Sequence, residues 1–164
     1  MSGLQARIAR TINCEGRYGA FQTYLHRNLL WHAPNDKLKK IEYESYVPSW
    51  SWMAYEGGIR FLDKIDIPFN QVQWATNLCF DPDRKHALIV DVGKFQDCRI
   101  ELDGNCFAVI DLSATKRGWI RYDVEDGKNL LEEHCVVVGS TRNSEDYYIL
   151  LVSREVNNQA GLTT

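Results

Sequence analysis

The sequence predicts a mainly β, α+β fold: an antiparallel β-sandwich or barrel-like body with an N-terminal helical cap. Three observations lead there. Apolar positions in the first thirty-odd residues follow helical three- and four-residue steps. From about Tyr46 onward, short runs of Val, Ile, Tyr, Phe and Trp recur between polar or glycine-containing turns. The length, 164 residues, suits one domain, and a chain of that size buries roughly 70% of its unfolded-state surface. The expected organisation is therefore a single domain over 1–164, with a helical segment at 1–33, a β-rich body at 46–153 and a flexible polar tail at 154–164.

The helical segment is read from Tyr18, Phe21, Leu25 and Leu29, which share one face of a helix running from Tyr18 to Leu30. A shorter helix over Leu4 to Ile12 precedes it, with Gly16 and Gly19 marking the break. Pro34-Asn35-Asp36 stops the helix, because proline lacks a donor and Asn and Asp favour turns. Residues 37–40 read as a solvated charged connector.

Strands are expected near 47–54, 58–63, 71–80, 86–94, 97–102, 105–112, 118–123, 134–139 and 147–153, with a single helical turn over 130–133. Asp103-Gly104 has the chemistry of a tight hairpin turn and, centred there, pairs Ile100 with Phe107 and Cys98 with Val109. Cys98, Ile100, Leu102, Phe107 and Val109 then form a core-facing stripe. Arg99, Glu101 and Cys106 point the other way, so Cys98 and Cys106 cannot pair. A second hairpin joins 134–139 to 147–152 through a polar connector, residues 140–146.

Charge and targeting features narrow the function classes. Lys and Arg number 19 against 22 Asp and Glu, a net charge of −3, which argues against a large nucleic-acid footprint. No apolar run approaches the roughly 18 residues of a membrane span, and the opening ten residues do not read as a signal peptide. Five scattered cysteines do not resemble a secreted disulfide framework, so a cytoplasmic location is expected.

Catalytic and cofactor patterns are sparse. His134 and Cys135 are strand neighbours and project to opposite faces, which leaves Cys135 as a buried thiol rather than a nucleophile. Zinc-type Cys/His spacing, phosphate loops and dinucleotide fingerprints do not occur, and neither metal nor cofactor is expected. Asp81, Asp83 and His86 around Pro82, and Asp123, Glu125 and Asp126 before Gly127, read as turn chemistry rather than cation sites. Gly57-Gly58 reads as a turn between strands. A hydrolase or transferase built from His86, Asp91 or Asp123 is the least favoured reading.

Tyr46 to Tyr55 is the most informative segment. On a strand, Trp50 and Trp52 alternate with Ser49 and Ser51 and share a face. Core anchoring is the favoured role, and Trp31, Trp74 and Trp119 lean the same way. The alternative is a sugar- or small-ligand platform drawing on Trp50, Trp52, Tyr55, Trp74 and Trp119.

The string Pro48-Ser49-Trp50-Ser51-Trp52, with Leu29-Leu30-Trp31 about twenty residues before it, resembles the region downstream of the HET domain in fungal heterokaryon-incompatibility proteins. Asp111, the strand Cys135 to Gly139 and the strand Tyr147 to Val152 are similar to that region's closing elements, and the likeness extends over about 16–152. It implies a part in non-self recognition and programmed cell death, with activity residing in the HET domain and this region serving recognition, regulation or support. A protein partner is expected; a nucleic acid or membrane is not.

Overall fold

The computed structural model describes residues 2–34, 38–62, 72–95, 97–122, 134–142 and 146–152. Strand outweighs helix, and all strand pairs are antiparallel. Among the described residues the strands form separate sheets, and none closes into a barrel. No helix among them is long and apolar enough to cross a membrane.

The first helix, Ser2–Thr11, forms close to the expected Leu4 to Ile12, starting two residues earlier and ending one earlier. Its stop is Asn13 rather than a glycine. Asn13 takes φ +48, Cys14 N–H reaches back to Ala9 C=O at 3.0 Å, and Asn13 N–H reaches Arg10 C=O at 3.3 Å, the paired bonds that close a helix C-terminus.

The helix expected from Tyr18 to Leu30 is overturned in its first half. Gly16–Arg17 and Ala20–Phe21 pair as a hairpin, a 3-10 turn follows at Gln22–Tyr24, and only Leu25–Leu29 is α-helical. Tyr18 (φ +48) and Gly19 (φ +77) occupy the two central positions of the hairpin, the signature of a type I′ turn. Helical spacing of apolar residues did not reveal a tyrosine held in the left-handed region. Leu25 and Leu29 nevertheless meet the core, because the short helix keeps their spacing.

The expected strand at 47–54 is also overturned. Residues 49–51 turn, and Trp52–Ala54 is a 3-10 helix capped by Ser51, whose hydroxyl accepts from Met53 N–H at 3.1 Å. Pro48 blocks a regular ladder here, and the serine cap competes with extended backbone. The expected strands at 71–80 and 86–94 are each broken in two, giving Val72–Trp74 with Cys79–Phe80 and Leu88–Ile89 with Val92–Lys94. Part of the expected charged connector is instead the exposed strand Lys39–Lys40, paired with Tyr55–Glu56, while Leu38 is buried. Asp123, Glu125, Asp126, the helical turn at 130–133 and the tail lie outside the described residues.

Strand His134–Thr141 organises the larger sheet. Tyr147–Val152 runs along one edge, and the other edge is shared between Val92–Lys94 and Val72–Trp74. Val138, fully buried, is the extra residue of a bulge between Val137 and Gly139. The polar connector after this strand begins in the fold rather than in water, since Thr141 is buried and its N–H reaches Asp146 C=O.

The hairpin Cys98–Asp103/Cys106–Asp111 turns on Gly104-Asn105, one residue later than expected, so Ile100 pairs with Val109 and Leu102 with Phe107. Gly104, at φ +63, takes the first central position. Moving the turn by one residue moves each partner by two, so the predicted facing is kept: Cys98, Ile100, Phe107 and Val109 join one cluster. Leu102, at the tip, is exposed. Lys116–Ile120 completes this sheet.

Two apolar clusters result. One gathers Ala20, Leu25, Leu29 and Leu30 from the N-terminal segment with Leu78, Phe80, Val136 and Val138, and Trp50, Trp74 and Leu150 pack on it. The other holds Val109 and Ile120 with Ile100, Phe107, Tyr122 and Leu151. Adjacent residues Leu150 and Leu151 thus serve different clusters, because successive strand side chains point to opposite faces.

Candidate functional site

The segment Pro48 to Trp52 lies where the N-terminal hairpin, the short helix and the 78–87 stretch meet. Pro48 and Ser51 are among the most buried side chains of the chain. Each polar group the segment brings inward finds a backbone partner. Ser51 Oγ donates to Tyr18 C=O at 2.7 Å, Trp52 Nε1 donates to Gly19 C=O at 3.4 Å, and Trp50 Nε1 donates to His86 C=O at 3.0 Å. Trp31 Nε1 in turn donates to the carbonyl of Trp50 at 3.1 Å. An indole has one donor, and three of these rings spend theirs on backbone carbonyls distant in sequence.

Two further side chains tie the same stretch down, and sequence reasoning missed both. Gln22 pairs with it as a strand would: Phe80 N–H donates to its Oε1 at 2.9 Å, and its Nε2 donates to Leu78 C=O at 3.4 Å. Arg17 places its guanidinium 5.0 Å from the Phe80 ring centroid and donates from Nη1 to the carbonyls of Asp81, Arg84 and Lys85, the first at 2.7 Å. Neither belongs to a motif, so nothing local marks it. Ser51 was legible as part of the tryptophan string, although not as its cap.

The Asp81–Ala87 loop is braced from within. Asp81 Oδ1 accepts from the N–H groups of Asp83 and Arg84, and its Oδ2 accepts from Arg84 Nε at 2.7 Å. The Arg84 hydrogen bond, then that of the Asp83 N–H, holds the Asp81 carboxyl below the usual carboxylate range. The acidic residues near Pro82 therefore build a turn, and among the described residues no group of His, Cys, Asp or Glu is placed to hold a metal ion.

His86 Nδ1 shares a hydrogen bond with the Tyr18 hydroxyl at 2.5 Å, and Tyr46 meets the ring edge-on at 5.0 Å. Asp91 is hydrogen-bonded by the Asn77 side-chain amide. Asp123 lies outside the described residues. His134 and Cys135 sit on one strand opposite Val152 and Leu151, and all five cysteines are free thiols.

The five aromatic candidates occupy different surroundings. Trp50 lies edge-on to Tyr18 at 5.8 Å and beside Phe80 at 6.1 Å. Trp52 crowds Gly19, and Tyr55 tilts against Trp31 at 5.4 Å. Trp74 stacks on His26 at 4.2 Å and leans toward Tyr148. Burial, and then the nearby Arg27 charge, push the His26 pKa down and favour the neutral ring. Trp119 departs from the expected core role: it is 65% exposed on the three-stranded sheet. Trp50 and Trp52, without a strand beneath them, do not share a strand face.

No protein-family model, curated protein or solved structure matches this chain.

Proposed function

We propose that the chain is a non-catalytic recognition or regulatory domain of the kind that follows the HET domain in heterokaryon-incompatibility proteins. It acts in the cytoplasm through a protein partner. In this reading the N-terminal segment caps a β-sandwich body, the two apolar clusters lying on opposite sides of the larger sheet. One observation carries it. Pro48 to Trp52, the string on which the family likeness rests most, serves as an internal tie, with three indole or hydroxyl donors spent on the Tyr18, Gly19 and His86 carbonyls. Of the residues considered for catalysis, the two that are described are engaged structurally, His86 with Tyr18 and Asp91 with Asn77.

Expression in a filamentous fungus tests the proposal. The chain alone is expected to leave viability unchanged, and fusing it behind a HET domain is expected to alter that domain's death response. Killing by the chain alone, or identical responses with and without it, overturns the reading.

A further inference from the structure

Trp119 lies outside the internal tie and, unlike Trp74, is mostly exposed, and its surroundings are built. It lies on the edge strand Lys116–Ile120, opposite Ala108 of the neighbouring strand, and is 65% exposed. Its Nε1 donates to Asp103 Oδ2 at 3.3 Å, which fixes the plane of the ring. Lys116 Nζ donates to the same oxygen at 2.6 Å and sits 4.3 Å from the ring centroid. Lys116 lies over the ring, and Trp119 as a whole still presents most of its surface to water. The Lys116 hydrogen bond, then its charge, then the indole N–H, hold Asp103 below the usual carboxylate range.

We infer that Trp119, Asp103 and Lys116 form a subsite for a neutral sugar ring. A pyranose offers a flat C–H face that stacks on an exposed indole and gives up little conformational freedom in doing so. Its hydroxyls both donate and accept, and an adjacent carboxylate and ammonium present the two complementary functions at the edge of the ring. The charges of Lys116 and Asp103 offset each other, which suits an uncharged polar ligand. A nucleic-acid strand needs cations left over for its phosphates. The ring stands on a strand rather than a loop, so little ordering is required on binding.

Titration of the full chain with cellohexaose, laminarihexaose and chitohexaose, followed by tryptophan fluorescence and calorimetry, tests this. Saturable binding to at least one oligosaccharide is expected. Trp119→Phe should weaken it several-fold, and Trp119→Ala about tenfold or more. Asp103→Asn should weaken it while keeping the ring, and Leu4→Ala, at an exposed position of the first helix, should leave it unchanged. Unaltered thermal melting of Trp119→Ala separates a binding loss from a folding loss. No saturable binding with any of the three sugars, undiminished binding by Trp119→Ala, or preference for an oligo(dT) strand overturns the assignment.

Discussion

The Ser51 hydroxyl donates to the carbonyl of Tyr18, 33 residues earlier, at 2.7 Å, and so holds a left-handed tyrosine in place. A non-glycine residue with positive φ persists only where its surroundings over-determine it. Here they do, since the Tyr18 hydroxyl is also engaged by His86 and its ring by Trp50. Ser51→Ala leaves the Tyr18 carbonyl and the Met53 N–H short of a partner in a buried place. A loss of about 1–3 kcal/mol is expected by chemical denaturation. Stability equal to the parent chain would show that the tie does not matter.

Trp50 contributes both packing and a hydrogen bond to the junction. Trp50→Ala removes a ring packed against Tyr18 and Phe80 and gives up an exposed hydrogen bond to the His86 carbonyl. The expected cost is about 3–5 kcal/mol. Trp50→Phe should recover the larger part of this, because it restores the ring and not the donor. A Trp50→Ala protein that melts with the parent chain refutes the internal role of the string.

Gly19 is required for two reasons. Its φ is +77, and a β-carbon there would lie 2.8 Å from Trp52 Nε1 and 2.9 Å from Met53 Sδ. Gly19→Ala is therefore expected to destabilise by about 1–3 kcal/mol, through backbone strain and displacement of Trp52. Gly104→Ala has the strain alone, since nothing lies within 4 Å of the added carbon. It should cost less, and the order of the two melting temperatures checks the argument.

His26 predicts a pH dependence. Its pKa is lowered from 6.5 in the folded chain, first by burial and then by Arg27. The unfolded chain consequently binds a proton more readily than the folded one. Stability should fall as pH drops below 6.5 and level off once pH is below the folded value. His26→Phe keeps the stack on Trp74 and should flatten this limb in denaturation curves taken across mildly acidic pH.

Asp111 acts further down the scale. Its carboxylate accepts from the Ser113 hydroxyl, from the Thr115 N–H and from Arg117, and its pKa falls to about 2. Its contribution is complete above 3.8 and disappears as pH falls through about 2. Asp111→Asn should remove that part of the acid transition. An unchanged acid limb in the variant would show that the Asp111–Thr115 turn does not depend on the charge.

Local chemistry along the chain determined the antiparallel strands of the second half and the apolar facing of the Cys98–Val109 hairpin, because period-two alternation and turn residues act over a few neighbours. It also singled out Pro48 to Trp52 as the segment of greatest consequence. What the segment does was decided only in three dimensions. Helical spacing at Tyr18 to Leu29 gave way to a hairpin once Ser51, Trp52 and His86 were available to hold Tyr18 and Gly19, and alternation at Trp50 and Trp52 gave way to a 3-10 turn. Arg17 and Gln22, which brace residues 78–85, carry no local signal, since a side chain's backbone partner more than fifty residues away is set by packing. The same packing decided which indoles face inward and left Trp119 in water, a distinction that five tryptophans of equal hydrophobicity cannot express in sequence.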